Sequence, residues 1–157
     1  MTMNICRKEF EEILCRTALQ AQDHIHRHCN GQRDYDMLMS VLQRSANYLS
    51  NDPKTRVGAF DGFSLGYNHL PAGEDPLEDK SNYVHAEIDL LSKVTGDLSR
   101  RIVFVTKAPC LDCAKALVAR GLKEIVYNKT YPHSDWYALQ MQAERYMIEN
   151  DVIIHKL

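Results

Sequence analysis

Two short segments constrain this chain more than anything else in it. RIVFVT (101–106) is a continuous apolar, β-branched run, which reads as a buried strand. It leads through Lys107, Ala108 and Pro109 into Cys110 and Cys113, where a helical pattern begins that runs to Gly121. Upstream, VHAEIDLL places His85 and Glu87 where another helical pattern begins, with Val84, Ile88 and Leu91 spaced for it through residue 95 and Gly96 as its stop. Both clusters of chemistry-bearing residues therefore fall at junctions into helices, where a fold can bring them together.

Zinc asks for borderline-soft ligands in a tetrahedron, and catalytic sites take three from the protein and leave the fourth position for water. His85, Cys110 and Cys113 make three. Cys110 and Cys113, three apart, lie on one side of a first helical turn, whose unpaired N–H groups and positive dipole end favour thiolates. Glu87 is the informative addition. A zinc ion with two thiolate ligands is nearly neutral, so it acidifies water weakly, and a carboxylate that accepts the proton offsets this. Other readings stand beside this one: a Cys-x-x-Cys redox pair, a structural Cys₃His site that recruits Cys29 and leaves Glu87 idle, or a chance match.

The totals agree with a single globular domain. The chain has 157 residues, 45% hydrophobic and 25% charged, enough for one core. No apolar run approaches the ~20 residues of a membrane span, and MTMNICRKEFEEILCR has no apolar signal core, so a cytoplasmic protein without membrane contact is expected. Nineteen basic against twenty-one acidic residues, a net charge of −2, argue against a nucleic-acid partner. Five cysteines at uneven spacings favour metal binding over a disulfide framework.

Along the chain, residues 5–29 fit a helix through Ile5, Phe10, Leu14, Ala18, Ala21 and Ile25. NGQRD (30–34) reads as a break and 35–50 as a second helix, with Met37, Leu38, Val41 and Leu49 on its apolar face, ended by NDP (51–53). RVGAF-DG-FSLGY predicts a hairpin with Asp61-Gly62 as a two-residue type I′ turn. Strands at 124–128 and 152–156 and a helix at 134–150 complete a mixed α/β sandwich with helices on both faces. Residues 1–33 read as a helical extension and 34–157 as the catalytic domain.

Taken together, His85-x-Glu87 and Pro109-Cys110-x-x-Cys113 match the signature of the zinc deaminases. SNDPKTRVGAF, GYNHLPAG, HAE and APCLDCAKALVARGLKEIVY, spread over about residues 35–157, resemble in order the segments of the deoxycytidylate (dCMP) deaminase family of the cytidine deaminase superfamily, phage-type members included. The resemblance implies a three-layer α-β-α cytidine-deaminase-like fold with a central mixed five-stranded sheet. It also implies zinc held by His85, Cys110 and Cys113, with Glu87 as proton shuttle in the hydrolytic conversion of dCMP to dUMP. Asn68 would hydrogen-bond the sugar, the amide of Ala86 the cytosine carbonyl, and Tyr131 would pack near the substrate. Lys54 and Arg56 are the candidates for the phosphate. A small-molecule nucleotide substrate and a homo-oligomer, dimer or hexamer, follow from the same resemblance. A nucleic-acid deaminase, such as the tRNA adenosine deaminases, and a catalytically silent zinc protein are the alternatives.

Two departures from the family pattern stand out. Asp89 replaces an asparagine, and His69 replaces the second glycine of the loop. His24, His26, His28 and Cys29 form a further cluster in which His24 and His28 could share a metal; we read it as the polar face of an amphipathic helix. Cys6 and Cys15 read as packing residues or inert thiols.

Overall fold

In the computed structural model, residues 7–27 and 31–157 are described, with side chains at 7, 18, 19, 21–27 and 31–34 left out. The cluster formed by the His24, His26, His28 and Cys29 side chains, and Cys6, lie outside the described residues. The chain runs α1 (Arg7–Arg27), α2 (Gly31–Leu49), β1 (Gly58–Phe60), β2 (Leu65–Tyr67), α3 (Ala86–Leu91), β3 (Ile102–Val105), α4 (Leu111–Ala119), β4 (Glu124–Tyr127), α5 (Trp136–Glu149) and β5 (Ile153–Lys156). The five strands form one sheet in the order β2-β1-β3-β4-β5. β1 is antiparallel to both β2 and β3, while β3, β4 and β5 run parallel. The mixed five-stranded sheet between helices is thus the fold expected.

Alternation along the strands builds the layers, because successive side chains point to opposite faces. Ala59, Val103, Val105, Ile125 and Tyr127 join Ala86, Leu90, Ala114, Leu117, Ala143 and Met147 of α3, α4 and α5 in one core. Phe60, Phe104 and Val126 point the other way and meet Leu14 of α1 and Leu38, Met39 and Leu42 of α2 in a second. The central strands are buried on both faces, which is why they read as unbroken apolar runs. Leu14 is fully buried, so α1 contributes to a core rather than lying loose on the surface.

Four local expectations change. The second helix begins at Gly31, inside the expected break at 30–34, and Met37 is exposed while Met39 and Leu42 take core positions beside Leu38. The hairpin is not a two-residue turn. Phe60 pairs with Leu65, leaving a four-residue loop, and Asp61 lacks the positive φ that a type I′ turn requires. Its carboxylate instead accepts the amides of Phe63 and Ser64 at 3.0 and 2.7 Å, with Arg101 on the other oxygen at 2.6 Å. The third helix ends at Leu91 rather than near residue 95. There the chain tightens, Lys93 N–H donating to the carbonyl three residues back at 2.9 Å, and Gly96 turns at φ +80°.

One contact governs how closely α3 approaches the sheet. A Cβ at Gly66 would overlap the carbonyl oxygen of Ala86 and the amide of Leu90, and sit 2.8 Å from the Leu90 Cα. Only a glycine lets β2 lie against α3, the helix that starts with Ala86 and Glu87. Gly66→Ala is therefore expected to destabilise the protein by on the order of 3 kcal/mol, read as a lower urea midpoint. An unchanged midpoint would mean that the helix can move away without cost.

Candidate active site

Two helix starts converge above the sheet. His85 is the residue before α3 and Cys110 the residue before α4, both in extended backbone. Cys113 sits one turn into α4 and is buried. His85 Nδ1 lies 3.3 Å from Cys113 Sγ and 3.6 Å from Cys110 Sγ. With Zn–N of ~2.0–2.1 Å and Zn–S of ~2.3 Å, a tetrahedron demands an N···S separation of about 3.5 Å. The donors are spaced for zinc. Among the described residues these three are the group of His, Cys, Asp or Glu side chains whose ligand atoms come close enough together to hold a metal.

Their electrostatics point the same way. Hydrogen bonds from Cys113 and His85, working against burial, bring the Cys110 thiol down to about 4. Its hydrogen bond and negative charge in turn shift the His85 pKa upward, against the opposing effect of burial. The Cys113 thiol is driven the other way, by its hydrogen bond with Cys110, burial and the Glu87 carboxylate. Left to themselves the two sulfurs share one negative charge; a divalent cation is what lets both ionise.

Glu87, 4% exposed, is pushed by burial up to about 7, opposed by its own backbone amide and by His85. It stands next to the metal-binding group without belonging to it, touching Cys113. A carboxyl that changes protonation near neutrality is suited to moving protons in both directions.

A cleft of about 290 Å³ opens on these residues, lined further by Asp52, Thr55, Val57, Asn68, Lys80, Tyr83, Ala86, Lys107, Ala108 and Trp136, with Asp79 at its wall. That is a small-molecule volume. Asn68 lines it, but its carboxamide is already engaged: Oδ1 accepts the Val57 amide at 2.8 Å and Nδ2 donates to the Thr55 carbonyl at 2.7 Å. Asn68 ties the 50–57 loop to the end of β2. Asp52 does similar work from beneath. Its Oδ1 accepts the amides of Lys54 and Thr55 at 2.8 and 3.0 Å, and Lys80 Nζ reaches both carboxylate oxygens at 2.7 and 2.8 Å.

Lys54, Arg56 and Tyr131 are not brought to the cleft. The Lys54 side chain is exposed. Arg56 turns away to donate to the carbonyls of Asn47 and Asp52 at 2.6 and 3.0 Å, where it closes the end of α2. Tyr131 is 66% exposed and stacks on His133. The aromatic rings on the wall are Tyr83 and Trp136, and the cations Lys80 and Lys107. Lys107 could have been singled out by its place three residues before Cys110. Trp136 had no such signal, since its indole is placed by donating to the Ala108 carbonyl at 2.9 Å across the fold.

The two departures are absorbed locally. Asp89 Oδ2 accepts the Tyr67 amide at 3.0 Å and pairs with Lys93 at 2.6 Å. His69 pairs with Val84 through two backbone hydrogen bonds of 3.0 and 2.8 Å, which closes the 70–84 loop back onto the sheet just before His85.

A His/Cys/Cys group beside a buried carboxyl, set at two helix starts over a mixed sheet, is the make-up of a zinc hydrolase. Residues 32–129 match the family model of the cytidine and deoxycytidylate deaminase zinc-binding region, and the chain belongs to that family. It is 31% identical over 132 residues to human deoxycytidylate deaminase, covering 68% of this chain and 74% of that protein. Over 98 residues it is 32% identical to the deoxycytidylate deaminase of enterobacteria phage T4, covering 54% of this chain and 50% of that one. The solved dCMP deaminase of cyanophage S-TIM5, in complex with dCMP and dUMP, shares the fold at a TM-score of 0.62 and 23% identity, over 80% of this chain and 98% of that one. No helix among the described residues is long and apolar enough to cross a membrane.

Zinc-loaded protein is expected to hold one metal per chain by elemental analysis, and Cys110→Ser or Cys113→Ser to drop that to near zero. Full metal content in either variant would remove the cysteine from the ligand set. Asp52 gives a second test. Burial raises its pKa, but the Lys80 ammonium and the two loop amides outweigh that and hold it below 3.8. Its stabilising contribution is then full above 3.8 and fades as pH falls through the lower native value. Urea unfolding should show Asp52→Asn less stable than the parent at pH 6, with the gap closing below pH 3.8; a gap independent of pH would assign the loss to packing.

Proposed function

We propose that the protein is a zinc-dependent deoxycytidylate deaminase that converts dCMP and water to dUMP and ammonia. The observation that carries the reading is Glu87, a buried carboxyl tuned to about 7 beside a His/Cys/Cys group that it does not join. A structural metal site has no use for such a neighbour. The substrate class is supported by the relatives, which are named for deoxycytidylate, by the single-nucleotide size of the cleft, and by a net charge of −2 that suits a nucleotide better than a nucleic-acid strand.

His85, Cys110 and Cys113 would hold the zinc, which when bound supplies a Lewis acid that activates water for attack on C4 of the cytosine. Glu87 takes the proton released by the attacking water and delivers it to N3 of the ring. The same carboxyl then carries the second proton to the amino group as ammonia leaves. A pKa near neutrality lets one residue serve as base and acid in turn. Ala86, first residue of α3, has an amide with no intrahelical acceptor, and it lines the cleft; we assign it the cytosine carbonyl. Asn68 acts by holding the wall against which the sugar would rest.

We place this chemistry in residues 34–157, with α1 as a helical addition to that domain, and the protein in the cytoplasm. A homo-oligomer is part of the same reading, supported by exposed apolar side chains at Ile88, Met141 and Ile148. Zinc-loaded protein is expected to deplete the cytosine absorbance of dCMP, and Glu87→Gln to slow this by ~10²–10⁴-fold with its metal content intact. Activity that survives in Glu87→Gln would remove the proton shuttle; no activity in the parent would favour a silent zinc protein.

A further inference from the structure

Two lysines face the cleft, and they are in different situations. Lys80 is neutralised by Asp52, with both carboxylate oxygens within hydrogen-bond distance of its ammonium. Lys107 has neither a carboxylate nor a carbonyl partner among the described residues. Its contact is the face of Trp136, with Nζ 3.9 Å from the ring centre. The ring is itself fixed, by its hydrogen bond to the Ala108 carbonyl at 2.9 Å. Lys107 is thus half-buried and held in place, yet its charge is matched only by an aromatic quadrupole.

A half-buried ammonium without an anion is costly, and a neutral side chain would cover the Trp136 ring equally well. Burial and the nearby Lys80 both push the Lys107 ammonium towards its neutral form, while Glu87 and Asp52 lie too far to pair with it and oppose this only through space. Asp79, the remaining carboxylate on the wall, accepts the Ser81 amide at 3.0 Å. The cleft is therefore built with one cation in want of an anion, on the same wall as the metal-binding group. The residues first considered for an anion, Lys54 and Arg56, do not reach it.

We propose that Lys107, seated on Trp136, takes the 5′-phosphate of the substrate and so makes the enzyme select a nucleotide over a nucleoside. The inference rests on the deoxycytidylate reading for the identity of the anion. Trp136 is a positioning residue in this scheme: it orients the lysine without touching the phosphate. A charge-assisted hydrogen bond to a phosphate oxygen gives the cleft a contact that a nucleoside cannot make.

The test uses the product, so that no turnover intervenes. Binding of dUMP and of deoxyuridine to zinc-loaded parent, Lys107→Ala and Lys107→Arg would be measured by calorimetry. The expected result is a loss of about 10- to 100-fold in dUMP affinity for Lys107→Ala, with deoxyuridine unmoved and Lys107→Arg recovering most of the loss. Equal weakening of both compounds in Lys107→Ala would move the lysine to the base or sugar and overturn the proposal. A parent that binds dUMP no better than deoxyuridine would also overturn it. A parent that binds dUMP through Lys107 but leaves dCMP unreacted would uphold the phosphate contact and overturn the reaction.

Discussion

An imidazole nitrogen and two sulfurs held 3.3 to 3.6 Å apart impose a demand that most of the structure serves. The three donors come from two helix starts separated in the chain by the 92–101 segment and a central strand. Each start must be placed to within a few tenths of an ångström for a tetrahedral ion to bridge them. The sheet does this for α4, because β3 is buried on both faces and delivers Pro109 and Cys110 from a rigid end. For α3 the placement comes from Gly66, whose missing side chain lets the helix lie on β2, and from the pairing of His69 with Val84 just ahead of His85.

The same rigidity explains why so many polar groups in the cleft wall are bonded to each other. Asp52 and Asn68 are nearly inaccessible to water, and buried polar groups without partners would cost more than the wall gains. Their hydrogen bonds fasten the 50–57 loop to β2, and the Lys80 ion pair fastens the 70–84 loop to Asp52. The result is a pocket whose walls are already satisfied, with a few groups left over. Glu87 and Lys107 are the two whose chemistry the interior does not use up. One is suited to a proton and the other to an anion.

Much of this was legible in the chain. The continuous apolar, β-branched run at 101–106 and the shorter Ile125-Val126-Tyr127 core of 124–128 marked the buried strands, because a strand covered on both faces needs apolar residues at successive positions. His85, Glu87, Cys110 and Cys113 were readable because zinc chemistry restricts both ligand type and ligand number. The hairpin loop was less so: Asp61-Gly62 suggested a tight turn, but Arg101, forty residues away, draws the Asp61 carboxylate into a wider loop. The cations that line the cleft, Lys80 and Lys107, were missed for a related reason. Basic residues near a motif in sequence, Lys54 and Arg56, carry no mark of which way they point.

The sequence by itself determined the metal-binding group, the buried carboxyl beside it and the mixed sheet with helices on both faces. These depend on residue type and short-range spacing, which chemistry and backbone geometry restrict to few solutions. Only the tertiary structure decided the walls of the cleft. Trp136 under Lys107, Lys80 on Asp52, and Arg56 turned back to α2 are pairings between segments far apart in the chain or side chains with several open directions. Local pattern holds no information about such choices; they are made when the layers close and every buried charge must find a partner or a use.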